Sequence, residues 1–299
     1  IFNLSNTNAT FTGYISGLFF MGSTGGNAIS ENFIHSISVS SSSATIYGIQ
    51  INSGASRYSN NIITLGGNTA TTLYGIYEAG DINNDNELFF NTIYIDGSPA
   101  SGATNSYALY SEGTANICDI RNNILSNARS STSGNHYALF IANTSGTLIC
   151  DYNNYFVSGT GGILGYYLAD ITTLPIVSGQ DGASKSADPA FANAGGNSAS
   201  DYVPSSSAIV AVTGTGVTTD YEGTARSESK PSMGAFEIVF PQNVEVYRSS
   251  ILLASYSYLK EAFDAINDGT HNIGSFEIRI KGNIYEENSA VLNASGTGG

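Results

Sequence analysis

An Asn followed two residues later by a large apolar residue recurs along the first half of this chain, at Asn32/Ile34, Asn61/Ile63, Asn91/Ile93, Asn123/Leu125 and Asn154/Phe156. Interleaved with it is an aromatic–small–aliphatic triplet: Tyr47-Gly48-Ile49, Tyr74-Gly75-Ile76, Tyr107-Ala108-Leu109 and Tyr137-Ala138-Leu139. The Asn marks lie 29, 30, 32 and 31 residues apart, the Tyr marks 27, 33 and 30. Two interlocked marks holding one period are the signature of a solenoid, in which each turn stacks on the last. Helical periodicity is nearly absent before residue 255, and short apolar alternation follows the Asn marks, as in Ile37/Val39, Ile63/Leu65 and Ile93/Ile95. Alternation marks strands with one buried face. Strands that repeat in this way without intervening helices cannot build a doubly wound sheet. Coiled turn upon turn, they make an all-β, right-handed parallel β-helix.

The marks then have physical roles. Asn tolerates the left-handed backbone of a sharp corner, and stacked Asn side chains can bond along a column. The residue two further on points inward. In the Tyr triplets the first and third residues are expected to share a face, with the small middle residue leaving the outer surface flat. The Tyr column reads as a packed aromatic stack, and its functional alternative is a stripe that stacks on sugar rings. The segment Gly13–Phe20 supplies an earlier turn. No polar cap precedes it, and an open first turn exposes unpaired backbone groups. The expectation is that the natural protein continues before Ile1 or that another chain covers that end.

Composition narrows the function classes. Only 11% of residues are charged and the net charge is −14, with ten Lys plus Arg in 299 residues. Phosphate binding needs clustered cations, so a nucleic-acid partner is excluded, and an anionic membrane surface is disfavoured on the same ground. No apolar run reaches the length of a membrane span. A chain poor in charge and rich in Gly, Ser, Asn and Thr fits an extracellular solenoid. Its start at Ile1 fits a mature piece or fragment of a longer secreted polypeptide. Asn3-Leu4-Ser5, Asn8-Ala9-Thr10, Asn143-Thr144-Ser145 and Asn293-Ala294-Ser295 match the glycan-acceptor pattern, which chance supplies in such a composition.

Cys118 and Cys150 both sit in Ile-Cys-Asp strings about one repeat apart. Neighbouring turns would bring their backbones to about 4.8 Å, a distance that permits a disulfide and equally a stack of two small buried side chains. The best metal-like string is Asp81-Ile82-Asn83-Asn84-Asp85-Asn86-Glu87. Oxygen side chains at Asp81, Asn83, Asp85 and Glu87 suit calcium, although Thr92 stands where a bidentate Glu would complete the loop. The alternative is a solvated polar loop. Asp119 and Asp151, expected to stack on successive turns with Arg121 beside them, form the one carboxylate–arginine cluster of the repeat. Their spacing would approach the roughly 5 Å of a retaining glycosidase pair. His35, His136 and His271 have no ligand spacing, and no nucleophile elbow, phosphate loop or dinucleotide fingerprint is present.

After Asn154 the repeat loosens. Asp151-Tyr152-Asn153-Asn154-Tyr155-Phe156, Ser178-Gly179-Gln180-Asp181, Ala187-Asp188-Pro189-Ala190-Phe191, Thr219-Asp220-Tyr221-Glu222-Gly223-Thr224-Ala225-Arg226 and Met233-Gly234-Ala235-Phe236-Glu237 follow in that order. As an ordered set over residues 150–238, they resemble the closing turns of large secreted bacterial right-handed parallel β-helix proteins. Those are multi-domain, surface or adhesin-like polypeptides. The chain departs from that pattern at Ser207-Ala208-Ile209-Val210, where a Pro and an Asp are usual, so the resemblance implies no ligand role there.

Pro241 marks a boundary. Residues 1–240 read as the β-helix with its closing turns, and 241–299 as a helix–strand segment. Apolar residues at 259, 262, 263 and 266 fit one face of a helix, with Ser255 or Ser257 as N-cap and Gly269 near its stop. Strand-like runs follow at Phe276–Ile280 and Ala290–Leu292. The segment resembles the start of a following β-helix unit, where such a helix plugs the first turn. These readings point to a non-enzymatic extracellular structural or adhesive surface protein. It would lengthen head to tail, with residues 241–299 of one copy on the open first turn near Ile1 of the next. The alternative is a β-helix that binds or cleaves a surface polysaccharide.

Overall fold

A computed structural model describes all residues except 23, 24, 81–83, 103, 114, 272, 273, 285–288 and 294–299. The repeat is a parallel β-solenoid. Strands β1 (Ser5–Asn6) and β2 (Tyr14–Met21) lead into the first turn, β3 (Asn27–Ser30), β4 (Phe33–Ile34), β5 (Ser38–Val39) and β6 (Thr45–Ser53). Each later turn has three strands: β7 (Ser56–Ser59), β8 (Ile62–Leu65) and β9 (Thr72–Glu78); β10 (Asn86–Phe89), β11 (Thr92–Ile95) and β12 (Ser106–Ser111). Then come β13 (Ile117–Arg121), β14 (Ile124–Asn127) and β15 (His136–Ile141); and β16 (Thr147–Asp151), β17 (Asn154–Val157) and β18 (Gly162–Tyr167), followed by the short β19 (Asp170–Ile171). Stacking gives a first sheet in the order β16-β13-β10-β7-β3, a second β17-β14-β11-β8-β4, and a third β19-β18-β15-β12-β9-β6-β2.

The inward side chains of all three sheets form one core, among them Ile34, Ile63, Ile93 and Leu125 from the second sheet and Ile49, Ile76, Leu109 and Leu139 from the third. The corner between first and second sheets uses two consecutive residues. The first is left-handed: Glu31, Asn60, Phe90, Asn122 and Tyr152 all have φ between 55° and 65°. The second is the Asn of the repeat, which supplies hydrogen bonds. Asn61 donates its backbone N–H and its Nδ2 to Asn91 Oδ1 at 3.1 and 2.9 Å. Asn91 does the same to Asn123 at 2.9 and 3.0 Å, and Asn123 to Asn153 at 3.0 Å for both. The left-handed role expected of the repeat Asn thus belongs to the residue before it. The fifth mark is Asn153, with Tyr155 pointing inward, because the doublet Asn153-Asn154 offers two candidates and only the first continues the ladder.

The Tyr triplets also differ from expectation. Tyr47 stacks on Tyr74 outside the third sheet, whereas Ile49 lies in the core, so the two do not share a face. The middle residue points inward as well. A Cβ on Gly48 would lie 2.4 Å from Ile63 Cγ2 and 2.5 Å from the Gly75 oxygen. The strand bends at the small residue, two consecutive residues face the core, and the second sheet's aliphatic column fills the space.

The cysteines do not stack on each other. Cys118 pairs in register with Leu148, and Ile120 with Cys150, so the two Ile-Cys-Asp strings are offset by two residues. Both thiols are free and buried.

Residues 186–238 add no further turn. They return along the outside of the second sheet and bury its outward residues. Ile124 packs with Phe89, Phe90, Ile209 and Met233, and Ile62 with Tyr202 and Phe236. Hydrogen bonds tie the return to separate turns: Tyr202 Oη donates to Thr64 Oγ1 (2.9 Å), the Ala235 N–H to Thr92 Oγ1 (2.8 Å), and the Val212 N–H to Asn122 Oδ1 (3.0 Å).

Contacts divide the chain into Ile1–Ile238 and Val239–Gly299. In the second unit, β20 (Val244–Arg248) and β21 (Ile251–Tyr256) form a hairpin, and β22 (Phe276–Ile280) pairs antiparallel with β20. Ser249 and Ser250 both have positive φ, as a two-residue hairpin turn with right-handed strand twist requires. Helix α1 (Leu259–Asn267) packs through Ala262 on Val244 and Val246. Its N-cap is Tyr258 rather than Ser255 or Ser257, and Gly269 beyond its end is left-handed. Residues 290–292 form no strand. No helix among the described residues is long and apolar enough to cross a membrane.

Candidate functional site

Outward residues of the third sheet form two aromatic columns. In one, Tyr47, Tyr74, Tyr107 and Tyr137 stack with centroids 5.0, 4.9 and 5.5 Å apart and planes within 12°. In the other, Tyr77, Tyr110, Phe140 and Tyr166 stack at 5.3, 5.0 and 4.3 Å. Rings of the two columns meet edge to face, as Tyr74 and Tyr110 do at 89°. Each interior ring therefore gives both faces to its neighbours and presents an edge to solvent. Sugar stacking needs a free ring face, so the body of these columns is a packed stack. Burial raises the tyrosine pKa values, to about 12 at Tyr110 and Tyr137.

The outer face of the first sheet carries the charged cluster. Arg121 donates from Nε and Nη2 to the two Asp119 oxygens at 2.7 and 2.6 Å, which holds the guanidinium above its ordinary pKa. Asp151 lies opposite Arg121, and Asp119 opposite Ile149. The two carboxylates therefore do not stack. Asp151 Oδ1 accepts the backbone N–H groups of Tyr152 and Ala183 at 2.8 and 2.9 Å. The offset that separates the cysteines thus also removes the expected glycosidase-like pair.

Of the calcium string, Asp81 and Asn83 lie outside the described residues. Asp85 Oδ1 accepts the Ile117 N–H at 2.8 Å, and Glu87 pairs with Arg57 Nε at 2.6 Å. A cation at this string would compete with Arg57 for Glu87. Thr92 is buried in β11 and engaged by Ala235. Among the described residues, no group of three or more His, Cys, Asp or Glu side chains converges as a metal site.

Glu78, His136 and Asp181 are among the buried titratable groups. Glu78 is fully buried and accepts from Ser111 Oγ (2.7 Å), Asn86 Nδ2 (2.9 Å) and Asn116 Nδ2 (3.1 Å). His136 is fully buried between Ser106 Oγ (2.9 Å) and Ser131 Oγ (2.8 Å), and burial lowers its pKa to about 4. Asp181 accepts from Tyr155 Oη (2.8 Å) and Ser184 Oγ (2.7 Å) at the last turn, where burial pushes its carboxyl up.

A concavity of about 580 Å³ on the solenoid was not signalled by any motif. It lies where the corner after the second sheet meets the return segment, lined by Asn3, Ser36, Ser38, Asp96 and Asn197 with glycines between them. Asp96 follows β11. Burial raises its pKa against the opposing influence of Arg129. Arg129 itself is fully buried and donates to the main-chain oxygens of Gly67, Asp96 and Thr69. Comparison of the chain with protein-family models, with curated proteins and with solved structures finds no match.

Proposed function

We propose that this chain is a structural or adhesive element of an extracellular surface, a stiff solenoid unit that extends by accepting a further turn at its N-terminal side. The observation that supports this is the difference between the two ends of the ladders. At the far end the last strands are covered. Gln180 Oε1 accepts the Cys150 N–H of β16, the main chain of Lys185 bonds Asn153 and Tyr155 beside β17, and β19 closes β18 antiparallel. At the near end β1, β2 and β3 each have one paired side. These three strands contain no charged residue and no Pro. Sheet edges that must stay single are usually blunted by such residues. On β2, Tyr14, Phe19 and Met21 are 56%, 45% and 68% exposed. The added turn comes from the same polypeptide or from a neighbouring copy. Because the far end is covered, a contact between copies falls to the Val239–Gly299 unit. The low charge content and the resemblance of residues 150–238 to adhesin-like surface proteins favour the extracellular setting.

The test is the assembly state of the whole chain by sedimentation and electron microscopy at rising concentration and salt. End-to-end rods that Phe19→Lys abolishes, without a change in melting temperature, support the reading. A monodisperse monomer throughout would sink the self-assembling form of it.

A further inference from the structure

The corner after β8 and the corner after β11 lie on consecutive turns, and they place Gly66 directly against Asp96. A Cβ on Gly66 would stand 1.9 Å from Asp96 Oδ1, and one on Gly195, in the return segment, 3.0 Å from Oδ2. The carboxylate is thus flanked by two glycines from different parts of the chain. No hydrogen bond to either of its oxygens is seen among the described residues. A half-buried carboxylate without a protein donor, fitted into space that two missing side chains leave, can accept hydrogen bonds only from outside the chain.

The remaining lining decides what brings that donor. Asn3, Ser36, Ser38 and Asn197 present amides and hydroxyls, which both donate and accept. No Lys or Arg side chain lines the groove, and the buried Arg129 spends its donors on main-chain oxygens, so an anion would meet the Asp96 carboxylate on a chain of net charge −14. A volume of about 580 Å³ falls inside the roughly 300–1,000 Å³ usual for ligand pockets. A cation would use only the oxygens of these side chains and leave their N–H and O–H groups unmatched, whereas sugar hydroxyls both donate and accept.

We propose that this groove binds a neutral oligosaccharide, with the Asp96 carboxylate accepting hydrogen bonds from sugar hydroxyls while Asn3 and Asn197 hold the chain from either side. The raised carboxyl of Asp96, in a cleft, agrees with a binding role. This goes beyond the structural reading and does not depend on it, since a rod that never assembles still carries the groove.

Calorimetric titration of the whole chain with cellohexaose, mannohexaose and chitohexaose, beside hexagalacturonate as the anionic control, tests the proposal. A dissociation constant on the order of 1 mM is expected for at least one neutral sugar. Asp96→Asn should weaken it by about tenfold, the effect of losing one good acceptor, and hexagalacturonate should not bind. Asn197→Ala, at an exposed position, should weaken binding without touching the fold. Silence from all three neutral sugars, unchanged affinity in both variants, or equal binding of hexagalacturonate would each overturn it. Rod formation is read separately by sedimentation, so failure here is distinguishable from failure of the assembly reading.

Discussion

The guanidinium of Arg226 lies 3.7 Å from the centroid of the Phe90 ring, joining the return segment to a left-handed corner of the solenoid. The same group donates to Asn60 Oδ1 (2.8 Å) and to the main-chain oxygens of Ser232 (3.1 Å) and Gly234 (2.9 Å), with Glu237 at 3.5 Å. Burial lowers its pKa to about 10, which leaves it charged at neutral pH. Arg226→Ala would strand a buried Glu237 and several carbonyls, and should cost about 3–5 kcal/mol. Arg226→Lys should recover little, because an ammonium lacks the planar fork that serves these acceptors together. Urea unfolding of the three proteins checks both.

The Asn ladder predicts a gradient along the rod. Asn91 bonds on both sides, whereas the Asn32 side chain receives no bond from a preceding Asn. Asn91→Ala leaves the Asn61 N–H without its acceptor and removes one bond each from Asn61 Nδ2 and the Tyr58 oxygen, and should cost about 3 kcal/mol. Asn32→Ala should cost less than about 1 kcal/mol. Equal losses at the two positions in chemical denaturation would contradict the ladder's role.

Gly75→Ala tests the inward bend. Turns further along carry Ala at the equivalent position, Ala108 and Ala138, yet a Cβ at Gly75 would meet the Ala108 oxygen and Ile93 Cγ2, both at 2.4 Å. Overpacking of this kind should destabilise by about 1–3 kcal/mol, measured by the shift in urea midpoint. A neutral result would mean that the middle residue does not face the core.

Much of this was legible in the chain and some was not. The period located the turns because corners and stacking demand the same residue types at every turn. It could not choose between Asn153 and Asn154, since adjacent Asn residues look alike until the ladder selects one. The Ile-Cys-Asp strings misled for a related reason. Local identity aligned Cys118 with Cys150, whereas register is fixed by the Asn corners, and the spacing from corner to cysteine differs between the two turns. The residues that gather around Asp96 come from four stretches distant in sequence, two of them outside any repeat, so no periodic signal unites them. The β20–β21 hairpin was also missed, because Ser249-Ser250 is a weaker turn signal than Asn-Gly.

Acid should weaken the fold through His136. Its pKa falls from 6.5 to about 4 on folding, so between these values the unfolded chain holds a proton that the folded chain does not. Stability present above pH 6.5 is therefore lost as pH drops toward 4, by up to roughly 3 kcal/mol. Asp96, Asp181 and Glu237, whose carboxyls burial pushes up, act in the opposite direction on acidification. The comparison that isolates the histidine is wild type against His136→Gln, whose stability curve should be flatter in this window. Identical pH curves would exclude His136 as the acid-sensitive group.

Alkali should act through the aromatic columns. Tyr110 and Tyr137 titrate near 12 when folded and near 10 when unfolded, so stability is lost as pH rises through that interval. Tyrosinate absorbance should lag behind that of the urea-unfolded chain across the same interval. Coincident curves would show the rings to be solvated.

The return segment measures the solenoid. Its anchors fall on Thr64, Thr92 and Asn122, on three successive turns, like marks on a gauge laid along the rod. A solenoid free of such a gauge can gain or lose a turn by duplicating or deleting one repeat, because every turn meets only its neighbours. Here an inserted turn between β8 and β14 would move the anchors out of reach of their partners unless the return lengthened with it. The number of turns behind this segment is therefore a fixed quantity.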